Sequence, residues 1–225
     1  MQDRTSEWFV PKIGPRNFRI GIGMLFLPYT FIVTCFAVWG SLGGTFVLDR
    51  LGAICIIYFL AVGVSAHCLD AVGGKTKPWG TLPKRKILTI AIISLGISFT
   101  IGLYYAFLDS PILFPIGIAE GFFLFAYNLE LFGGRFHNNI STVVSWGILP
   151  VFAGSAIQTN SISIETILLS IVSALVTYFL ITTSRRYKEL KREGIDSSKS
   201  KEIILKLITL FVAIGTFSFF ILRVI

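Results

Sequence analysis

The sequence predicts an all-α polytopic membrane bundle of about seven transmembrane helices. Three observations predict it. The 225 residues are 54% hydrophobic and only 14% charged, with a mean hydropathy of +0.77. A soluble domain carries about 25% charged residues. Such a chain cannot coat itself in a solvated surface, which excludes a cytosolic globular domain, a disordered chain and a disulfide-rich secreted module. The second observation is a series of apolar runs near the ~20 residues that a bilayer core of about 30 Å requires. The third is the placement of the 20 basic residues, which fall between those runs and mostly on alternate sides. The net charge of +8 is therefore a topology signal, and no nucleic-acid partner is expected.

Residues 1–17 are polar and carry Arg4, Lys12 and Arg16 with Pro11 and Pro15, so no cleavable signal peptide is read there. Apolar runs follow at 18–40, 51–70, 87–107, 111–131, 140–158, 161–183 and 203–224. They are too long and too rarely alternating for barrel strands. The connections are short, so residues 1–225 read as a single integral-membrane domain. Lys75, Lys77, Lys84, Arg85 and Lys86 follow the second run, and Arg135 follows the fourth. Arg185, Arg186, Lys188, Lys191, Arg192, Lys199 and Lys201 follow the sixth, whereas the opposite side holds Arg50 and Arg223. By the positive-inside rule this is a multi-pass cell-membrane protein with its N-terminus cytoplasmic and its C-terminus outside. Cys35, Cys55 and Cys68 lie in apolar stretches and read as small buried hydrophobes. The triplet Asn139-Ile140-Ser141 falls on the cytoplasmic side and reads as a chance match to a glycosylation signal.

Ionisable groups inside a membrane are costly and mark function. They gather at the ends of two runs. The second run closes with Ala66-His67-Cys68-Leu69-Asp70, then Gly73-Gly74-Lys75-Thr76-Lys77-Pro78-Trp79. His67 and Asp70, three apart, share a helix face. The fourth run closes with Tyr127-Asn128-Leu129-Glu130-Leu131-Phe132-Gly133-Gly134-Arg135-Phe136-His137. Each is a carboxylate, a glycine pair and cations beside an apolar run, which suits an anionic head group with an apolar tail. Interfacial capping and lipid-phosphate contact are the structural alternative. Mg²⁺ held by Asp70 and Glu130 is one way to bind a diphosphate. Arg135 can grip a phosphate with two parallel bonds, where lysine is a point charge. Glu120, midway along the fourth run, lines a polar cavity or pairs with a neighbouring helix, and Gly117 and Gly121 around it read as a close-packing motif. The two histidines lack the spacing of a transition-metal site, and no phosphate loop, dinucleotide turn or nucleophile elbow is present.

These signatures resemble the UbiA superfamily of intramembrane prenyltransferases. Ala66-His67-Cys68-Leu69-Asp70 occupies the place of that family's first Asp-rich motif, with only Asp70 of its acids kept. Lys75-Thr76-Lys77-Pro78-Trp79 resembles the basic segment after it. Ser145 to Gly154 and Gln158-Thr159 are similar to its menaquinone-type branch. The long stretch 127–137 is similar to a divergent archaeal and bacterial branch. Where the family has a second Asp-rich motif this chain has Ile181-Thr182-Thr183-Ser184-Arg185-Arg186, and it has room for seven helices where the family has nine.

The resemblance implies transfer of a prenyl group from an isoprenoid diphosphate, such as geranylgeranyl diphosphate, to a lipophilic acceptor at a lipid-accessible cavity. The candidate catalytic groups are His67, Asp70, Asn128 and Glu130, the candidate diphosphate contacts are Lys75, Lys77, Arg135, His137, Arg185 and Arg186, and the candidate Mg²⁺ ligands are Asp70 and Glu130; the resemblance does not by itself carry over the metal chemistry. A terpene cyclase is the same chemistry without a separate acceptor. The rivals are a non-catalytic bundle that binds a polyprenyl lipid or a membrane partner, and a transporter using Glu120.

Overall fold

The computed structural model describes residues 4–73, 79–80 and 82–224. Among them every regular element is helical. Six helices are long and apolar enough to cross a membrane: α1 (Arg16–Leu42), α2 (Leu48–Gly73), α3 (Lys84–Leu108), α5 (Asn139–Thr159), α6 (Ile164–Arg192) and α7 (Ser198–Val224). The expected fourth span is the shorter α4 (Leu113–Asn128). Its 16 residues reach about 24 Å at 1.5 Å per residue. It ends early because the chain coils sharply after Asn128. Glu130 (φ 49°), Phe132 (φ 56°), Gly133 and Gly134 all take left-handed backbone there, which glycine accepts freely and the other two do not.

The polar groups point inward and the large apolar ones outward. Ser41, Ser65, Ser94, Ser98, Ser173 and Thr177 are buried, while Phe107, Phe211, Phe217 and Leu222 are exposed. That is the packing of helices whose surroundings are apolar, where small polar residues sit between helices. The tightest crossing joins α1 to α5. A Cβ on Gly154 would stand 1.9 Å from the Ala37 carbonyl oxygen, and one on Gly40 as close to that of Val151. Both obstacles are backbone, which cannot swing aside. Gly154→Leu therefore costs at least about 3 kcal/mol, seen as a large fall in melting temperature in detergent, whereas Gly117→Leu melts near the parent.

Two helices are interrupted, for identifiable reasons. Pro28 lacks the N–H that the Met24 carbonyl needs, so α1 breaks into Arg16–Met24 and Leu27–Leu42. Phe26 takes left-handed backbone (φ 44°) at the joint, and the Thr30 hydroxyl donates to the Leu25 carbonyl at 2.7 Å. Pro150 likewise denies a partner to Trp146, and α5 widens into a π-helical turn over Val143–Ile148. A second π-helical stretch, Phe59–Ala66, lies in α2. Such turns occur often at functional sites. Both lead to the same place, where His67 meets Trp146 edge to face at 6.3 Å.

The ends of the bundle away from His67 are clasped by polar contacts. Arg50 pairs with Asp109 at 2.5 Å and donates to the Ile157 carbonyl at 2.7 Å. The Val47 N–H donates to the Gln158 side chain, and Arg223 donates to the Gly44 carbonyl. Gln158 is thus a structural clasp remote from His67. Arg50 holds the Asp109 carboxyl below the usual carboxylate range. A depressed acid contributes stability above its unfolded pKa and loses it as pH falls through the folded value. Acidification through that range lowers the melting temperature, and Asp109→Asn flattens this part of the dependence.

Candidate functional site

The ends of α2 and α4 meet. A Cβ on Gly73 would lie 2.5 Å from the Leu129 side chain and 3.4 Å from the Asn128 carbonyl oxygen. Asp70, half-buried one turn earlier, lies within electrostatic reach of His137 and Glu130 from beyond α4. Arg4 and Lys188 also act on it. Four parts of the chain therefore converge: the N-terminal segment, the end of α2, the turn after α4 and the last turns of α6.

Arg4 arrives because the segment before α1 folds back across the bundle end. Val10 and Glu7 are buried, the Phe9 ring packs on Phe26 at 4.8 Å, and Lys191 binds the Glu7 carboxylate at 3.4 Å. Arg4 lies over the Phe26 ring, 5.5 Å from its centroid. Burial pulls its guanidinium below the ordinary value, while Asp70 and Glu7 oppose the shift. Lys188 arrives because α6 runs straight on past its apolar stretch. Ser184, Tyr187 and Leu190 are buried on one stripe, and the Tyr29 hydroxyl is 2.9 Å from that of Ser184. Arg4, Glu7, Asp70 and Arg185 all act on Lys188.

His67 is buried and held on every side. Its ring stacks on Phe26 at 4.6 Å, its Nδ1 is 3.3 Å from the Gly63 carbonyl, and the Leu25 carbonyl also acts on it. It wedges the strained Phe26 against Trp146, the geometry of a positioning residue. His137 is exposed, stacks on Tyr127 at 4.2 Å, and keeps its Nδ1 3.2 Å from the Tyr127 carbonyl. Asn128 is buried and donates to the Leu124 carbonyl at 2.7 Å, which leaves its side-chain oxygen for a ligand.

Beside this cluster an apolar cavity of ≈ 180 Å³ runs between α2, α3, α4 and α5. Ala66, Tyr127, Asn128, Ser145 and Trp146 close its end next to His67 and Asp70, and Ile54 and Leu113 close the other. Gly117 and Gly121 line it. A Cβ at Gly117 would meet nothing within 4 Å, so this glycine widens the cavity, contrary to the packing expected from the spacing, whereas one at Gly121 would stand 3.2 Å from the Phe99 ring of α3, a close approach between helices. Ile118 and Leu103 at the rim are exposed, so the cavity borders the outer apolar surface.

Of the expected site residues, the structure brings together His67, Asp70, Asn128, Glu130 and His137, with Arg185 behind Lys188. Arg135 is exposed on the turn after α4. Arg186 points outward and pairs with Glu189 at 3.2 Å. Lys75 and Lys77 lie outside the described residues. Sequence reasoning named Arg4 and Lys188 only among the basic residues that set the topology, and gave neither a place in the site. For Lys188, its spacing of four and seven from Ser184 and Ile181 was the available signal, because those positions share one helix stripe.

Among the described residues no group of three or more His, Cys, Asp or Glu side chains stands where it could hold a metal ion. Asp70 and Glu130 offer two carboxylates, and Arg4 and Lys188 act on the same Asp70. A divalent cation would be repelled by those positive charges, so this donor set fits an anion better than Mg²⁺. No known family model, curated protein or solved structure matches the chain.

Proposed function

We propose that this chain is a UbiA-like intramembrane prenyltransferase that takes an isoprenoid diphosphate as donor and a lipophilic acceptor. One observation carries the reading: a cationic cluster around Asp70 stands at the end of an apolar, aromatic-walled cavity. In this reading α4 is the fourth span and brings the total to seven, crossing a locally thinned bilayer, and the basic side of the bundle faces the cytoplasm with the C-terminus outside.

Arg4 and Lys188 grip the diphosphate, with Arg185 adding charge. The allylic C–O bond breaks, its electron pair leaves on the diphosphate oxygen, and the aromatic faces stabilise the positive charge on carbon. The acceptor's nucleophilic atom then bonds to that carbon and gives up its proton. His137, exposed at the mouth, is the acceptor for that proton. Asn128 and Glu130 orient the acceptor, and Asp70 holds Arg4 and Lys188 in place. Cations in place of the second Asp-rich motif do the work of charge neutralisation, so the need for Mg²⁺ is weak.

The test is release of pyrophosphate from geranylgeranyl diphosphate by the purified protein. Release is expected, is retained under a chelator, and falls about a hundredfold in Asn128→Ala with Asp70→Asn. Retained diphosphate with tight binding would instead mark a lipid-binding bundle without catalysis. A cyclised hydrocarbon formed without added acceptor would mark a cyclase.

A further inference from the structure

Halfway along the cavity, away from the cationic cluster, stands a second polar group that the transfer reaction does not use. Glu120 lines the cavity eight residues before Asn128, about 12 Å away along α4. Its Oε1 accepts a 2.8 Å hydrogen bond from the Tyr58 hydroxyl, and Tyr58 is 3% exposed. A carboxyl group accepts at about four lone-pair sites, so one tyrosine leaves most of its capacity unmet. Nothing else in the wall meets it. Ser98 donates to the Ser94 and Ile57 carbonyls, and among the described residues no lysine, arginine or histidine lines the cavity. Aromatic faces surround the space, from Tyr58, Phe99, Phe114, Phe123 and Trp146. Beside Glu120 the wall is open, since Gly117 meets nothing within 4 Å.

An acid without a basic partner, in an aromatic-walled apolar cavity, complements a cation on an apolar body. The carboxyl group supplies the opposite charge, aromatic faces attract an ammonium group, and the low dielectric strengthens both. We propose that the Tyr58–Glu120 pair is an interior recognition site for the ammonium group of a lipophilic amine whose chain fills the cavity. The ligand enters from the apolar side past Ile118 and Leu103. The site does not depend on prenyl transfer, and its occupation excludes an isoprenoid tail from the same space.

The test is native mass spectrometry of the full chain in detergent with oleylamine, with oleyl alcohol as the control of equal length. Oleylamine binds the parent, at least tenfold more weakly in E120Q and severalfold more weakly in Y58F. Gly117→Phe, which keeps the acid but fills the space beside it, abolishes binding and controls for any loss of folding in E120Q. Oleyl alcohol binds more weakly than the amine and is indifferent to E120Q. Equal binding of amine and alcohol, or of the amine to parent and E120Q, overturns the proposal. No diphosphate is present, so a failure of prenyl transfer leaves this readout untouched.

Discussion

For the proposed transfer reaction, replacing Arg4 and Lys188 together by alanine is expected to lower pyrophosphate release about a thousandfold. A hydrogen bond to a charged group contributes about 1.5–3 kcal/mol, and two such contacts to the leaving diphosphate reach that factor. The effect falls on kcat more than on KM, because negative charge grows on the leaving oxygen as the C–O bond breaks. Each single variant loses tenfold to a hundredfold. Arg186→Ala, which breaks an exposed pair with Glu189, changes little, because such pairs contribute about 0–1 kcal/mol. That contrast separates two basic residues two positions apart on one helix. A general attraction of anionic substrate to a basic surface would weaken equally for both. Steady-state kinetics of the parent and the four variants checks it.

The second large effect is steric. Gly117→Phe places a ring in space where a Cβ meets nothing within 4 Å. The ring occupies the cavity and not a helix interface, so the protein still folds and melts near the parent temperature. Activity with geranylgeranyl diphosphate falls about fiftyfold, the cost of displacing three buried methylene equivalents at about 0.8 kcal/mol each. Activity with geranyl diphosphate is retained, because its shorter tail stops before the obstruction. Measuring kcat/KM for both donors in parent and variant gives the shift in chain-length preference. Equal losses for both donors would move the tail out of this cavity.

The order of helices was legible because it rests on composition, which a membrane imposes on every span alike. The convergence of Asp70 with Glu130 and His137 was legible too, since both clusters close helices that end on the same side. The breaks were less visible. Pro28 and Pro150 sit inside apolar runs, and nothing local distinguishes a tolerated proline from one that opens a helix. Glu130 and Phe132 take left-handed backbone that their own chemistry disfavours, so only the surrounding packing decides where α4 stops. Arg4 was out of reach, because its place depends on Phe9 and Val10 docking against Phe26 and Tyr29, contacts set by tertiary structure. The Gly117–Gly121 spacing misled at Gly117 alone, for the opposite reason, since Gly121 does face Phe99 of α3 closely. The motif reports absent side chains, and these serve an open cavity as readily as a close crossing.

The most direct test is equilibrium binding of an inert geranylgeranyl thiolodiphosphate to the purified protein. One molecule must touch both the cationic cluster and the cavity. Micromolar binding is expected, competed by inorganic pyrophosphate, and weakened at least tenfold by Lys188→Ala and independently by Gly117→Phe. Binding that ignores either substitution, or that pyrophosphate fails to compete, would contradict the account.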